Sequence, residues 1–231
     1  MIEISLARLT LMLIPLAVVG WVMMKWAGDG EELLLATGRM VVQLLAVGYV
    51  LIILFEQDRH WVTALVVLFM LAVSAMIAVR TIRENRKRAL LEALLAIGVG
   101  GGSVFLLVVF GVLEGGEGFS ARFVIPLAGM IFANAMTAVT LSGERFEAEC
   151  GNGKEPLQAR EAAWKASLIP QINSFLAVGL VSLPGMMTGQ ILAGASPLHA
   201  VRYQILVMAM VLGAAGISVA IFLARICRER S

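Results

Sequence analysis

The stretch WVTALVVLFMLAVSAMIAV, from Trp61 to Val79, is 19 residues long and contains no Asp, Glu, Lys or Arg. A bilayer core about 30 Å thick is crossed by an α-helix of about 20 apolar residues. Over all 231 residues the chain is 60% hydrophobic and 15% charged, whereas soluble domains are about 45–50% apolar and about 25% charged. The sequence therefore indicates an integral membrane protein.

Seven stretches are apolar and long enough to cross a bilayer. They are Leu6–Met24, Leu33–Phe55, Trp61–Val79, Ala89–Leu113, Phe123–Leu141, Leu168–Ala193 and Leu198–Arg225. The first lacks a basic leader and a small-residue cleavage site, so we expect it to be a retained span. The sequence predicts an all-α, polytopic membrane protein with about seven transmembrane helices and a single domain over residues 1–231.

The distribution of Lys and Arg predicts the orientation. The segment Arg80–Arg88 carries five basic residues against one Glu, the C-terminal RICRERS carries three, and the segment between the fifth and sixth spans carries four. The alternate loops EQDRH, LEGGEGFSAR and GASPLH are acidic or nearly neutral. Since Lys and Arg collect on the cytoplasmic side, we expect the N-terminus outside and the C-terminus in the cytoplasm of a multi-pass protein of the inner (plasma) membrane.

Several chemistries leave sequence signatures that are missing here. The sequence has no His-Glu-x-x-His metal motif, Gly-x-Ser-x-Gly nucleophile turn or phosphate-binding loop. Its four lysines lie in polar segments, which excludes a retinal protein, and Cys150 and Cys227 have no metal-type spacing. A net charge of +2 gives no reason to expect nucleic acid. We therefore expect no catalytic residues, no enzyme activity and no cofactor bound by this chain.

Polar residues inside apolar spans are costly and mark candidate functional positions. Arg39 and Gln43 share one face of the second span, where they either gate or contact a partner, or extend to the interface. Glu92 begins the fourth span and is either a gating residue or an interfacial one. In the fifth span Met130 and Asn134 share a face, and an asparagine near the midplane needs a partner from another helix or a ligand.

The sixth span, VGLVSLPGMMTGQILAG at Val178–Gly194, contains a helix-breaking Pro184-Gly185 pair. Broken helices are tolerated in membranes where they are buried in protein or line a cavity. One interpretation is a transport path lined by Met130, Asn134, Ser182, Met186, Met187 and Gln190. The other is a kink that improves packing, with the methionines as adaptable filler.

The polar segment Gly143–Ser167 is the one long connection between spans. Pro156 suits the first turn of a helix, and an apolar face is predicted at Leu157, Ala162, Trp164 and Leu168. This pattern leaves Arg160, Glu161 and Lys165 exposed. The segment is either a docking helix near the membrane surface that a soluble partner grips, or a solvated connector.

Several segments together resemble the FetB family of ABC-transporter permeases, which includes bacterial iron exporters and plant aluminium-tolerance permeases. They are GRMVVQLLAVGYVL (Gly38–Leu51), IPLAGMIFANAMTAV (Ile125–Val139), SLIPQINS (Ser167–Ser174), VGLVSLPGMMTGQILAGASP (Val178–Pro197) and YQI (Tyr203–Ile205). The resemblance implies a permease that pairs with itself, as a homodimer, and with two copies of a separate ATPase that binds ATP and Mg. Glu147, Glu149 and Gly151 resemble the ATPase coupling loop of such permeases, and Arg160 and Glu161 follow it.

We therefore expect the permease subunit of an ATP-driven exporter of iron or another metal species that works by alternating access. The predicted path has no cluster of imidazole or carboxylate groups for Fe²⁺, and methionine suits softer ions such as Cu(I). The alternative is an ATP-independent channel or secondary carrier for a small solute or metal. That alternative predicts protonatable groups deep in the membrane.

Overall fold

The structure is a computed structural model, and it describes residues 5–28, 30–57, 59–82, 85–113 and 120–230. Regular structure in these residues is helical, apart from an isolated bridge between Val178 and Ser182. The α-helices are α1 (Leu6–Leu9), α2 (Leu13–Trp26), α3 (Gly30–Gln57), α4 (His60–Ala78), α5 (Arg86–Leu106), α6 (Ala121–Gly151), α7 (Pro156–Ala177), α8 (Gly185–Leu192) and α9 (Pro197–Arg230). A 3₁₀ turn, Thr10–Met12, precedes α2, and a π-helical segment, Leu107–Val112, continues α5.

The chain divides into two compact units, residues 1–57 and residues 58–231. The first unit contains α1 to α3, and α2 packs against α3, where Gly20 lies next to Leu33. The described side chains of this unit are mostly exposed. Exposed apolar side chains on long helices are what a lipid environment permits.

The second unit is built around α9, which packs against α5, α6, α7 and α8. Small side chains form much of its buried core and allow the helix axes to approach closely. Fully buried examples are Ala93 and Ala96 of α5, Ala135 and Ala138 of α6, and Ala214 and Ala215 of α9. This unit contains the candidate site described below.

Five of the seven predicted spans coincide with helices that are long and apolar enough to cross a membrane. They are Gly30–Ile52, His60–Ala78, Arg86–Val112, Ala121–Gly151 and Pro197–Arg228. At the first predicted span the apolar helix is shorter, Thr10–Trp26, and the sixth is divided between α7 and α8. The count of seven and the orientation of the termini stay predictions.

The segment Gly143–Ser167 is more helical than the sequence indicated. Helix α6 continues to Gly151 and α7 begins at Pro156, so only residues 152–155 lie between them. Pro156 occupies the predicted first turn. Helix α7 continues without interruption to Ala177, so the predicted docking helix or connector forms the first part of the helix that also begins the sixth predicted span. Of the predicted loops, Asp58, Arg83, Glu84 and residues 114–119 lie outside the described residues.

The predicted apolar face of α7 is only partly buried, since Leu168 is buried and Ala162 is half-buried. Leu157 is 58% exposed and Trp164 is 38% exposed, whereas the buried residues include Ala159, Ala163 and Ser167. These three small residues repeat every four positions and therefore lie on one helix face. They allow α7 to pack closely against α6 and α9.

Candidate functional site

The chain between α7 and α8 forms a compact turn that is held by hydrogen bonds between its own backbone groups. The carbonyl of Ala177 accepts hydrogen bonds from the amides of Leu180 (3.2 Å), Val181 (2.8 Å) and Ser182 (3.2 Å). The Gly179 amide donates to the Ser182 carbonyl at 3.0 Å, and Gly179 has a φ of 80°. The turn's own amides therefore use the carbonyls of Ala177 and Ser182.

Helix α8 restarts the helical path directly after this turn. Pro184 precedes it with a φ of −60°, and its carbonyl accepts hydrogen bonds from the Thr188 amide (3.0 Å) and the Thr188 hydroxyl (3.1 Å). The eight residues of α8 then pack on α9. The predicted interruption at Pro184-Gly185 is therefore present, and it extends back to residue 178.

A cavity of about 350 Å³ lies between the end of α7, the turn, α8 and the first part of α9. Most of its lining is apolar, and Gln204 of α9 contributes an amide. The Gln204 side chain is buried, and no described group donates a hydrogen bond to its Oε1. A buried acceptor left without a donor costs about 1–3 kcal/mol. The thioethers of Met187 and Met208 line the same cavity.

The cavity includes one of the four path residues predicted in the sixth span. Met187 lines it, whereas Met186 packs against the buried core of the unit. Ser182 is exposed in the turn, Gln190 is half-buried on α8, and neither lines the cavity.

The two predicted path residues of α6 lie away from this cavity lining. Met130 and Asn134 are half-buried, and Asn134 Nδ2 donates to the Met130 carbonyl at 2.8 Å. The partner that we expected from a neighbouring helix or a ligand is thus the backbone of α6 itself. Gly129, which directly precedes Met130, lies against the Met70 side chain of α4.

Three buried polar groups were missed as site residues. Gln171 of α7 and Tyr203 and Gln204 of α9 each carry a buried oxygen that has no hydrogen-bond partner among the described residues. All three lie in the SLIPQINS and YQI segments. The signal that could have identified them is the presence of strongly polar side chains within or beside an apolar span.

The polar residues predicted on the cytoplasmic side divide into two groups. Arg39 and Gln43 are exposed on α3. Glu92 is buried on α5 and accepts two hydrogen bonds from Arg225 of α9, one from Nε to Oε2 and one from Nη2 to Oε1 at 3.1 Å. Glu92 therefore joins two core helices through a bidentate ion pair.

The residues predicted to couple to an ATPase lie around the α6–α7 connection. Glu149 is buried and pairs with Arg145 and with Lys154, whose Nζ lies 2.7 Å from Oε2. The pair with Lys154 joins the end of α6 to the connecting residues, and the pair with Arg145 lies within α6. Glu147 is half-buried, and Gly151 is exposed at the last position of α6.

Arg160 and Glu161 are exposed on α7 beside a groove of about 560 Å³. Trp164 of α7 and Leu223 of α9 also line this groove. Lys165 Nζ lies 2.6 Å from Glu161 Oε1, and this hydrogen bond holds the pKa of the Glu161 carboxyl below its usual range. The groove therefore has a positive and a negative side chain, Arg160 and Glu161, beside the apolar side chains of Trp164 and Leu223.

No group of three or more His, Cys, Asp and Glu side chains is placed to hold a metal ion in the described part of the chain. Cys150 is half-buried and Cys227 is buried. The donors at the cavity are instead an amide oxygen and two thioether sulfurs. This donor set suits weak binding of a soft ion or an uncharged solute more than tight binding of a hard cation.

Together, the long apolar helices and the mostly apolar cavity beside an interrupted helix define a polytopic α-helical membrane protein. The chain belongs to the family described as Uncharacterised protein family (UPF0014), whose model matches residues 3–230.

Curated relatives cover most of the chain. A UPF0014 membrane protein of Synechocystis is 37% identical, over 84% of this chain and 85% of its own. The Escherichia coli protein named "Probable iron export permease protein FetB" is 38% identical, over 81% of this chain and 77% of its own. Protein ALUMINUM SENSITIVE 3 of Arabidopsis thaliana is 34% identical, over 81% of this chain and 72% of its own. No solved structure matches the chain.

Proposed function

We propose that this protein is the permease subunit of an ATP-driven exporter and that a metal species, with iron as the first candidate, is its substrate. The observation that carries the proposal is the cavity at the α7–α8 interruption, which is lined in part by Gln204, a residue whose buried side-chain oxygen has no described donor. Interrupted membrane helices commonly form substrate sites because they place polar groups at membrane depth. The relative named as an iron export permease supports the choice of metal.

The path proposed here follows α7, α8 and α9. Gln171 lies one turn before Phe175, which lines the cavity, so the two residues share a face of α7. Gln204 and Met187 would contact the substrate in the cavity, and Gln171 would extend the polar route along α7. An amide and thioethers bind metal weakly, which suits a step in which the substrate must also leave.

The energy source in this proposal is a separate ATPase, in two copies, bound to a homodimer of the permease. The groove beside Arg160, Glu161 and Trp164 offers such a partner both charges and apolar surface. Glu147 and Gly151 lie at the same end of α6 and would form the rest of the coupling region. Glu149, being buried, would support this region through its pairs with Arg145 and Lys154.

The test is metal-stimulated ATP hydrolysis by the permease reconstituted in liposomes with its cognate ATPase, with Fe²⁺, Cu(I) or no metal. We expect iron to stimulate hydrolysis. Gln204→Leu should raise the half-maximal metal concentration about tenfold, because it removes the one side-chain amide oxygen available as a ligand among the described lining residues, with basal hydrolysis retained. Asn173→Leu, at an exposed position of α7, is the matched control and should behave as wild type.

Gln190→Leu distinguishes the two candidate paths, because Gln190 belongs to the path predicted from sequence and does not line the cavity. Loss of stimulation in Gln190→Leu but not in Gln204→Leu would contradict the path along α9. A stable complex that no metal stimulates would contradict metal as the substrate. Failure to assemble with the ATPase would contradict the ATP-driven exporter.

A further inference from the structure

A strongly basic cavity of about 390 Å³ lies between the first turns of α5 and the last turns of α9. Its lining consists of Arg88 and Glu92 from α5 and Arg225 and Arg228 from α9. The lining therefore contains three guanidinium groups and one carboxylate, and Arg88 and Arg225 also interact with other groups of the chain. The proposed transport path uses none of these residues, so the cavity requires a separate explanation.

The Glu92 carboxylate fixes one of the three arginines in position. It accepts hydrogen bonds from both Nε and Nη2 of Arg225, and its own side chain is 9% exposed. The Arg225 side chain is 49% exposed, so half of it remains accessible beside the cavity. Arg88 and Arg228 are exposed on either side. Arginine guanidinium groups suit the oxygens of a phosphate, and Glu92 positions that of Arg225 at the cavity.

Apolar strips lead away from the arginines on both helices. Leu95 and Val99 follow Arg88 by seven and eleven residues, and Ile217 precedes Arg228 by eleven. These spacings are close to two and three helical turns, so the side chains lie on the same faces as the arginines. Leu95, Val99 and Ile217 are 46%, 57% and 43% exposed. They lie about 10–17 Å along the helix axes from the arginines, about the depth of one bilayer leaflet.

We propose that this cavity binds an anionic phospholipid, with its phosphodiester between Arg88, Arg225 and Arg228 and its acyl chains along the two strips. Basic pockets between membrane helices at the interface bind anionic headgroups. The arginines lie where α5 enters and α9 leaves its apolar stretch, which is the depth of a lipid phosphate. A free phosphate ion would share the headgroup chemistry but would not use the strips.

The experiment is a lipid titration of the full-length protein in detergent, followed by native mass spectrometry. The two lipids are dioleoylphosphatidylglycerol, which is anionic, and dioleoylphosphatidylcholine, which is zwitterionic. We expect phosphatidylglycerol to bind at least about tenfold more tightly, because each arginine near the phosphate contributes about fivefold. Arg88→Gln/Arg228→Gln should lose about twentyfold to thirtyfold in affinity for phosphatidylglycerol.

The matched control is Arg86→Gln/Lys87→Gln, which removes the same charge from the same end of α5 at exposed positions that do not line the cavity. It should bind phosphatidylglycerol within about threefold of wild type. Equal losses in the two double variants would overturn the proposal, because diffuse charge would then explain binding. Equal affinity of wild type for the two lipids would also overturn it.

Soluble competitors separate the two sources of phosphate. Inorganic phosphate and glycerophosphoglycerol carry the headgroup chemistry without acyl chains, and we expect neither to displace the lipid at equimolar concentration. Displacement at that concentration would show a site for a soluble anion and would overturn the lipid assignment. If Arg88→Gln/Arg228→Gln does not fold, Arg228→Gln alone replaces it, with an expected loss of about fivefold. Unchanged affinity in that variant would contradict the proposal.

Discussion

At the scale of single residues, Gly100 marks the closest approach of α5 to α9. A Cβ atom at this position would lie 2.5 Å from Ser218 Oγ, 2.6 Å from Ser218 N and 2.8 Å from Ser218 Cα. Two of these atoms belong to the backbone of α9, so a rotamer change cannot relieve the contact. Any side chain at residue 100 therefore requires the two helices to move apart.

We predict that Gly100→Ala destabilises the protein by about 1–3 kcal/mol, the usual cost of overpacking a close-packed core. Gly102→Ala is the matched control, because a Cβ there has no heavy atom of another part of the fold within 4 Å. It should leave stability unchanged or raise it by up to about 1 kcal/mol, because Ala is favoured over Gly inside a helix. Thermal unfolding of the detergent-solubilised protein measures both, and equal melting temperatures would contradict the role of Gly100.

Loss of Glu92 and loss of Arg225 from their ion pair should lower the stability of the protein by different amounts. Arg225→Gln leaves a carboxylate that is 9% exposed without its charged partner, whereas Glu92→Gln leaves an arginine that is 49% exposed and reaches water. We predict a destabilisation of about 1–3 kcal/mol for Arg225→Gln and less than about 1 kcal/mol for Glu92→Gln.

The control for this asymmetry is the double variant Glu92→Gln/Arg225→Gln, measured by the same thermal unfolding. It removes the unpaired buried charge and should recover most of the stability that Arg225→Gln loses. A double variant that is less stable than Arg225→Gln would show that desolvation of Glu92 is not the dominant cost.

At the scale of elements, the turn between α7 and α8 depends on Gly179. Its φ of 80° lies in the left-handed region, where an L side chain costs about 1–2 kcal/mol. We predict that Gly179→Ala weakens the hydrogen bonds that Leu180, Val181 and Ser182 donate to Ala177. Their amides should exchange with deuterium about tenfold faster, which corresponds to about 1.4 kcal/mol.

The comparison for Gly179→Ala is Gly189→Ala on α8. The added Cβ has no contact within 4 Å there, and residue 189 has no positive φ. Exchange at residues 180–182 should match wild type in this variant. An unchanged exchange rate in Gly179→Ala would mean that the cavity wall formed by the turn does not rely on the left-handed conformation.

The two elements of the sixth predicted span show what sequence can and cannot predict here. Proline acts through its own ring and missing N–H, so the start of α7 at Pro156 and the interruption at Pro184 were predictable locally. The buried face of α7 was not predictable from the local sequence. Lipid is as apolar as the core, so hydrophobicity does not separate inward from outward positions. Close packing between helices instead places the small side chains of Ala159 and Ala163 in the interior, and Leu157 is exposed.

The candidate site was predictable only in part for a related reason. The Pro-Gly pair indicated where a cavity could form, and Met187, one of the predicted path residues, lines that cavity. Asn134 was expected to need a partner from elsewhere, but its own helix supplies the carbonyl of Met130. Gln204 lies at the cavity because α9 packs beside α8. That contact is tertiary and is not encoded in any local pattern.

At the scale of the whole molecule, two segments decide the number of membrane crossings. The helix Thr10–Trp26 is apolar but short, and the α7–α8 segment is interrupted by its turn. The other five predicted spans are long apolar helices. Helix α7 has 22 residues, about 33 Å at 1.5 Å per residue, but its first half is polar. Seven crossings require both of these segments to span the bilayer.

We predict seven crossings, with the basic segment Arg80–Arg88 in the cytoplasm, from the distribution of Lys and Arg. The test is labelling of single cysteines with a membrane-impermeant maleimide in intact cells, in a Cys150→Ser/Cys227→Ser background. The labelled variants are Ser5→Cys, Ala27→Cys, Lys87→Cys, Lys154→Cys and Ser196→Cys. Ser5→Cys and Ser196→Cys should react in intact cells, and the other three only after permeabilisation.

Reaction of residues 154 and 196 on the same side would show that α7 and α8 do not cross the bilayer together and would place the proposed cavity at one membrane surface. Reaction of residues 5 and 27 on the same side would remove the first span and leave the transport path unaffected.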